Sequence, residues 1–264
     1  MRIGPSRPGL ERIEAAFSGH AYDPHRHDTY AIGYTLQGVQ CFDYRGAATS
    51  SSAGQVMVLH PDEMHDGRAA SEPGFCYRMA YVEPRLIRQA LDDRTRALPF
   101  VRSAVVTETR LLQTLRLVLD DLETPVADLQ LDQFIAELAD ELCRHDPSLP
   151  RRRHQLVDVP AMERARAFLD DIGDTAVTSA VLEKITGLDR FALARQFRHL
   201  FGTSPYRYLV MRRLERVKSL IRAGTGLVET AFAAGFSDQS HLTRQFKQAY
   251  GLSPGQWRAL QLQP

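Results

Sequence analysis

Three histidines in the first quarter of the chain have side chains that could hold a ligand. His25 and His27 are two residues apart, so on a β-strand both side chains would point to the same side, and His65 could face them from another strand. Three converging imidazoles could bind Zn²⁺ or another transition metal. They could instead line a metal-free pocket for a small molecule, or make only structural hydrogen bonds. The residues themselves leave these three alternatives open.

A second set of residues with clear chemistry is basic, and the chain repeats it. Residues 193–205 return as residues 242–254, at an offset of 49 positions without a gap. The offset aligns Arg195 with Arg244, and Arg198 with Lys247. Such self-similarity indicates that one supersecondary unit occurs twice.

Each copy has the pattern of a helix end, a stop and a new helix. Gly202 and Gly251 suit the left-handed position that ends a helix. A serine followed by proline comes next in both copies, as at a helix N-terminus. A short helix ending at Gly187 and a new one capped by Asp189 would precede the first stop. Two helices joined by a glycine-containing turn, with a basic outer face, are typical of a helix-turn-helix, although a plain α-hairpin has the same outline.

The outer face of each second helix supplies the predicted DNA contacts. They are Arg190, Phe191, Arg195 and Arg198 in the first copy, and Gln239, Ser240, His241, Arg244 and Lys247 in the second. Arg195 and Arg244 are predicted to contact bases, because arginine pairs with guanine O6 and N7. Arg198 and Lys247, one turn further along, are predicted to contact phosphates. Gln196 and Gln245 also recur, and a structural hydrogen bond is their expected role.

Residues 178–258 resemble the DNA-binding domain of the AraC/XylS family of bacterial transcription regulators. The second copy carries the motif most fully, as AAGFSDQSHL at 233–242, RQFK at 244–247 and GLSP at 251–254. The resemblance implies two helix-turn-helix units joined by a long helix, predicted at 206–223, with their recognition helices in neighbouring major grooves. A connector of 18 residues would span about 27 Å, near one turn of DNA.

The first part of the chain has a β pattern. Short apolar strands are predicted at 31–36, 39–44, 55–59 and 75–81, separated by turn residues, as in a small barrel or double-sheet roll. This part resembles the cupin-like sensor domain of many AraC-family regulators, which implies an effector pocket at His25, His27, Tyr34 and His65. Metal-binding cupins usually add a glutamate after the His-x-His pair, and residues 28–32 contain none. We therefore expect no cofactor, with a divalent metal at the three histidines as the alternative.

The fold class is thus predicted as α+β, with a cupin-like barrel and a C-terminal all-α domain. The predicted boundaries are 1–106 for the sensor with an N-terminal arm, 107–145 for a helical segment, 146–157 for a linker and 158–264 for the DNA-binding domain. The arm includes a helical pattern at 10–17, another helix is expected within 83–99 and an edge strand at 101–106. Apolar residues at helical spacing in 111–122 and 131–142 predict two helices that pack on the barrel or form a dimer contact.

Charge and composition agree with this division. Residues 1–150 contain 15 Lys and Arg against 22 Asp and Glu, and the remainder contains 18 against 10, so balances of −7 and +8 give the net +1. A basic module joined to an acidic domain favours DNA binding over one large enzyme. No apolar run spans a membrane, and three scattered cysteines indicate no disulfide framework, so we expect a cytoplasmic protein. The missing glutamate, the attached DNA-binding module and the lack of a nucleophile motif or phosphate loop predict that it is not an enzyme.

The partners implied by the resemblance are double-stranded DNA, a small-molecule effector, a second copy of the chain and RNA polymerase. Three alternatives remain at this stage. The sensor could serve for dimerisation alone and bind no effector, or it could be a cupin metalloenzyme fused to a DNA-binding domain. The chain could also be a structural nucleoid protein that binds DNA without sequence preference.

Overall fold

The computed structural model describes residues 1–91, 97–149, 156–173 and 175–261. The chain forms two compact units, Met1–His154 and Gln155–Pro264. The first is rich in β-sheet and the second is helical, which confirms the α+β class. None of the helices within the described ranges is long and apolar enough to cross a membrane. The predicted linker falls largely on residues 150–155, which lie outside the described residues.

Two antiparallel sheets build the first unit. The larger sheet has the strand order β1-β2-β9-β4-β7-β10 and the smaller one β3-β8-β5-β6. The strands are β1 Arg2–Ile3, β2 Leu10–Phe17, β3 His20–His25, β4 Tyr30–Gln37, β5 Val39–Tyr44, β6 Ala47–Ser52, β7 Val56–Leu59, β8 His65–Ala69, β9 Phe75–Val82 and β10 Val105–Val106. The predicted edge strand is therefore the short β10, which pairs with β7.

A core rich in aromatic side chains lies between the sheets. In β9, Phe75, Tyr77 and Met79 alternate into it, and Phe42 and Tyr44 enter from β5 in the smaller sheet. The alternation follows from the two-residue period of a strand. The intervening residues of the larger sheet point to its other face, which the helices of this unit cover. Because both faces are covered, β4 is buried along six consecutive residues.

Three helices complete the first unit: α1 Pro84–Ala90, α2 Thr109–Leu119 and α3 Asp128–His145. The apolar stripes of α2 and α3 are almost fully buried, as at Leu111, Leu115, Phe134 and Leu138. The two helices pack on each other, α3 also packs on α1, and α2 packs on β2, β4 and β9 of the larger sheet. The helical segment was predicted either to pack on the barrel or to form a dimer contact. Its apolar faces are used for packing within the first unit.

The helical pattern predicted for residues 10–17 is wrong. These residues form β2, which pairs with β9 along its whole length. Ile13 and Ala15 point into the core between the sheets, and Arg12 points to the helical side, where it is 1% exposed. Its guanidinium donates hydrogen bonds to the carbonyls of Val118, Asp121 and Thr124. Apolar spacing suggested a helix here, but pairing with a central strand decided the conformation.

The second unit consists of seven helices in its described part. They are α4 Val159–Asp171, α5 Ser179–Thr186, α6 Arg190–Phe201, α7 Pro205–Arg222, α8 Leu227–Ala233, α9 Gln239–Tyr250 and α10 Pro254–Gln261. The bounds of α6 and α9 differ by 49 residues at both ends, and the starts of α7 and α10 do as well. The sequence repeat is therefore a repeat of structure, and α7 confirms the long connecting helix.

Candidate effector pocket and DNA-binding surface

The three histidines lie close together at one end of the sheet pair. His25 in β3 is directly opposite His65 in β8, and their ring centroids are 4.4 Å apart. His27 follows β3 and lies 5.0 Å from His65 and 6.1 Å from His25 between centroids. Neither β3 nor β8 was predicted as a strand. The cluster nevertheless has the membership that the sequence indicated.

Each ring has its proton on Nδ1. The Nδ1 atoms of His25, His27 and His65 lie 2.9 to 3.0 Å from the backbone carbonyls of Asp23, Thr29 and Glu63. Because a carbonyl oxygen can only accept, each Nδ1–H donates, and a neutral ring then carries its lone pair on Nε2. Burial lowers the pKa of His27 and lowers that of His65 to about 4. These two rings are therefore neutral at pH 7 and act as hydrogen-bond acceptors.

Aromatic and amide side chains surround the histidines. Tyr22 contacts His25 edge to face at a centroid distance of 5.2 Å, and Tyr81 contacts His27 in the same manner at 5.3 Å. Gln40 is buried and donates from Nε2 to the Tyr22 hydroxyl at 2.5 Å. In the part of the chain that the structure describes, Gln40 Oε1 and His27 Nε2 are buried without a hydrogen-bond partner. Each of these two acceptors could therefore accept a hydrogen bond from a ligand.

A glycine makes room for one of these rings. A Cβ atom on Gly67 would lie 2.2 Å from the Tyr22 ring, so only glycine lets Tyr22 fold across β8. Sequence analysis missed Tyr22, Gln40 and Tyr81. Tyr81 could have been found, because it shares its strand phase with Phe75 and Tyr77, whereas Tyr22 lies on a strand that no apolar alternation indicates.

Tyr34 does not belong to this pocket. Its hydroxyl donates to Asp120 Oδ1 at 3.0 Å, just after α2, so the ring faces the helical side of the larger sheet. The physical reason is strand phase: Ala31 points into the core between the sheets, and a residue three positions later points the opposite way. The assignment of Tyr34 to the effector pocket is therefore corrected.

The hydrogen bonds of the three histidines suit a metal ion, but the spacing of their ring nitrogens does not. Donation of Nδ1–H to a carbonyl is the usual arrangement of a metal-binding histidine. However, within the described ranges a single group of three side chains brings its ligand atoms within 4.8 Å of one another, and it consists of Glu108, Glu141 and His145. The three imidazoles do not meet that spacing. We derive no metal-dependent step from them.

In the second unit, both recognition helices begin with an aspartate cap. Asp189 accepts from the backbone N–H of Phe191 and Ala192, and Asp238 accepts from that of His241. Both helices end at a glycine in the left-handed conformation. Ser204 then caps the connecting helix by accepting from the N–H of Arg207. These stops and starts match the prediction made for each copy.

The predicted outer faces are accessible with one exception. Arg198, Gln239, Ser240 and Lys247 are exposed, and Arg190, Arg195, His241 and Arg244 are partly exposed. Arg195 and Arg244 hold corresponding places in α6 and α9. The structure therefore leaves eight of the nine predicted side chains accessible to a DNA duplex.

Phe191 is the exception, because its side chain is only 4% exposed. Helical phase groups it with Arg195 and Arg198, but it lies in the first turn of α6, beside the turn from α5. The second copy has Ser240 at that position and buries Phe236 from the turn instead. Each helix-turn-helix copy thus buries one aromatic ring near its turn, but the ring comes from a different position in the two copies. The placement of Phe191 on the outer face is wrong.

Some of these side chains already make local contacts. The Arg190 guanidinium lies over the Phe191 ring, 4.9 Å from its centroid. His241 Nδ1 is 3.1 Å from the Ser237 hydroxyl, and its ring meets Phe236 edge to face. These contacts orient Arg190 and His241 at the starts of the two recognition helices.

The repeated glutamines have diverged in their contacts. Gln196 Oε1 accepts from the backbone N–H of Asp158 at 2.8 Å and so ties α6 to the start of α4. This contact confirms the structural role expected of Gln196. Gln245 is equally buried, but its Oε1 has no hydrogen-bond partner among the described residues. For Gln245 the expected hydrogen bond is therefore not observed at that atom.

Comparison with known families covers both units. Residues 7–139 match the family described as AraC-like ligand binding domain, and residues 182–260 match a helix-turn-helix domain. The first match alone covers half of the chain. The chain belongs to the AraC family of transcriptional regulators. This AraC-family chain is accordingly a DNA-binding regulator with an N-terminal ligand-binding domain.

Several regulators are similar to this AraC-family chain. The uncharacterized HTH-type transcriptional regulator YbfI of Bacillus subtilis is 26% identical over 83% of this chain and 80% of its own length. The HTH-type transcriptional activator RhaR of Klebsiella pneumoniae is 29% identical over 49% of this chain and 54% of its own. A solved structure of apo ToxT K231A from Vibrio cholerae covers 98% of this chain at 14% identity, with a TM-score of 0.41, which is too low to support an inference.

In this AraC-family chain, the connecting helix α7 between the recognition helices α6 and α9 is held in place by buried apolar side chains. Leu209 and Val210 are buried near its start, and Leu214, Val217 and Ile221 continue the buried stripe. Its 18 residues span about 27 Å. On its surface, Glu215 accepts from the Tyr250 hydroxyl of α9 at 3.0 Å. The connector therefore holds α9 directly.

Proposed function

We propose that this regulator recognises two neighbouring major-groove segments through α6 and α9, and that a small molecule bound beside the histidine cluster controls its occupancy of DNA. Arg195 and Arg244 contact bases in this proposal, and Arg198 and Lys247 contact phosphates. Gln239, Ser240, His241 and Arg190 contribute at the starts of the helices. The sensor pocket comprises His25, His27 and His65 together with Tyr22, Gln40 and Tyr81.

The observation that carries the DNA proposal is the equivalence of the two copies. Caps, helix bounds and stops recur at one offset, and Arg195 and Arg244 occupy the same place in that frame. Two independent helices with an accessible arginine at the same position suit two successive recognition events on one duplex. The positive balance of this half supplies attraction to phosphates.

The pocket proposal is supported by unpaired acceptors within an aromatic wall. Among the residues that the structure describes, Gln40 Oε1 and His27 Nε2 have no hydrogen-bond donor, and both lie near rings that can cover a flat or apolar ligand body. We propose an organic effector that donates hydrogen bonds, without a resident metal at the histidines. A ligand shifts the protein between states only if it binds one of them better.

The remaining parts of the proposal concern assembly and location. We propose a homodimer, contact with RNA polymerase, a cytoplasmic location and no catalytic activity, supported by the family and its regulator relatives. Because the apolar stripes of α2 and α3 are buried within the unit, the dimer would use other surfaces. Sedimentation of the full chain at several concentrations tests the dimer.

The DNA proposal is tested by measuring binding of Arg195→Ala and Arg244→Ala to a selected operator and to its single-base variants. Each substitution should cost about 1–3 kcal/mol on the operator and relax discrimination at its own position. Arg166→Ala is a matched control, because this arginine of α4 is 43% exposed and lies outside the proposed DNA contacts. An unchanged order of preference among the operator variants would refute the base-contact assignment.

The effector proposal is tested by thermal melts of the full chain against a metabolite panel. A compound at 100 times its Kd should stabilise the first unit by about 2.7 kcal/mol, or about 5–10 °C for a domain of this size. The shift should be lost in Tyr22→Ala and His65→Ala and retained in Tyr34→Phe. If every compound fails, the alternative of a ligand-independent dimeric regulator is favoured.

A further inference from the structure

A group of possible metal ligands lies outside the histidine pocket, where α2 begins and α3 ends. Glu141 and His145 are four residues apart on α3, so they share a helix face, and Glu108 immediately precedes α2. One ligand atom from each of the three side chains lies within 4.8 Å of the others. One imidazole and two carboxylates form a ligand set that transition metals accept.

The spacing of this group suits a shared ion better than a direct contact. His145 Nε2 and Glu108 Oε2 are 3.6 Å apart, which is too long for a hydrogen bond. Two ligands bound at about 2.1 Å to one tetrahedral ion lie about 3.4 Å apart. His145 Nε2 is buried and has no hydrogen-bond partner among the residues that the structure describes. This nitrogen therefore lies close to two carboxylates but forms no hydrogen bond with the described residues.

Burial and charge make a cation favourable at this place. The Glu141 side chain is only 9% exposed, and a buried carboxylate needs compensating charge. The site is at the C-terminal end of α3, where the helix dipole attracts cations, and its domain is acidic overall. Arg144 opposes metal binding, because its Nη1 already donates to both oxygens of Glu141 at 2.7 and 2.8 Å. Arg144 is 44% exposed and has room to move away.

We propose that Glu108, Glu141 and His145 bind a divalent transition-metal ion of the Zn²⁺ type. A bound ion would join the residue before α2 to the last turn of α3. Since His145 is the final residue of α3, the ion would also hold the C-terminal end of that helix. This inference is independent of the DNA and effector proposals.

The test uses the full chain after removal of metal with a chelator. Zn²⁺ is titrated by calorimetry, the bound metal is counted after desalting, and Co²⁺ absorption reports the ligand geometry. One equivalent should bind. Glu108→Gln and His145→Ala should each weaken binding at least about tenfold, since each removes one of three ligands. Glu108 is 55% exposed, so Glu108→Gln should fold normally, which a melt in chelator checks.

Two further variants separate a metal site from a structural cluster. Arg144→Ala should tighten Zn²⁺ binding severalfold, because it removes the cation that competes for Glu141. His25→Ala is the control for the other histidine cluster and should leave Zn²⁺ affinity unchanged. Absence of binding would overturn the proposal, as would binding that is lost in His25→Ala and retained in Glu108→Gln. Binding that Arg144→Ala and Glu108→Gln leave unaltered would overturn it too.

Discussion

Replacement of Phe191 by alanine tests whether this residue is part of the folded core or of the DNA surface. The ring is 4% exposed in α6, so truncation removes buried contacts and leaves a cavity. Such changes typically cost about 3–5 kcal/mol. A residue that only contacts DNA would cost little stability when truncated. The unfolding free energy therefore distinguishes the two roles without any DNA.

The chain supplies its own reporter for this experiment. Trp257, its single tryptophan, lies in the second unit, 6.2 Å from Phe246 between ring centroids and under the Arg222 guanidinium. Urea unfolding followed by tryptophan fluorescence thus reports this unit of about 110 residues within the full chain. With a slope of about 1.5 kcal/mol/M, a loss of 3–5 kcal/mol moves the midpoint down by about 2–3 M.

Two variants make the result interpretable. Phe191→Leu keeps most of the buried volume and should lose about 1 kcal/mol, so it provides a measurable case if the alanine variant fails to fold. Ser240→Ala, at the corresponding exposed position, should change the free energy by less than about 0.5 kcal/mol. If Phe191→Ala unfolds at the same urea concentration as the unchanged chain, the core assignment is refuted.

Three other predictions concern charge. Lys247→Ala should weaken binding to all DNA sequences alike and reduce the slope of log K against log salt by about 1, measured by anisotropy; a sequence-dependent loss would contradict a phosphate contact. Arg12→Met should lower the unfolding free energy of the first unit by about 3 kcal/mol, because one buried and two partly buried carbonyls lose their donor. The exposed control Arg2→Met should leave that free energy nearly unchanged. Burial lowers the pKa of His60 and of His65 to about 4, so the folded state binds fewer protons than the unfolded chain between about pH 6.5 and 4. The unfolding free energy should therefore fall as pH drops through that window, by up to about 1.4 kcal/mol per pH unit per histidine, and a flat profile in urea unfolding followed by circular dichroism would contradict it.

Much of the second unit could be predicted because its determinants are local. Glycine at the left-handed stops, aspartate and serine at the caps and proline at the first helical position act within one or two turns of chain. The offset of 49 then applies the same local rules twice. The burial of Phe191 could not be predicted in this way, because helical phase does not show how much of a helix face is covered by neighbouring helices. Its burial depends on how the neighbouring helices pack against α6.

The first unit was less predictable because strands gain their partners from distant parts of the chain. Residues 10–17 have apolar spacing compatible with a helix, yet pairing with β9, 58 to 72 residues away, makes them a strand. β3 and β8 lack apolar alternation, so neither was predicted. Tyr34 and His65 were assigned to one pocket on the basis of residue type, and only the phase of β4 placed Tyr34 on the other face of the sheet.

The sequence by itself determined the division into an acidic β-rich half and a basic helical half, the duplicated reading unit, and the identity of the three clustered histidines. These properties follow from composition, period and local stop signals. Tertiary structure alone decided which face of a strand lines the pocket and which aromatic side chain is buried beside each turn. It also decided that Glu108 lies beside His145. Such proximity arises from long-range packing, because residues distant in the chain become neighbours only when their elements bury a common surface.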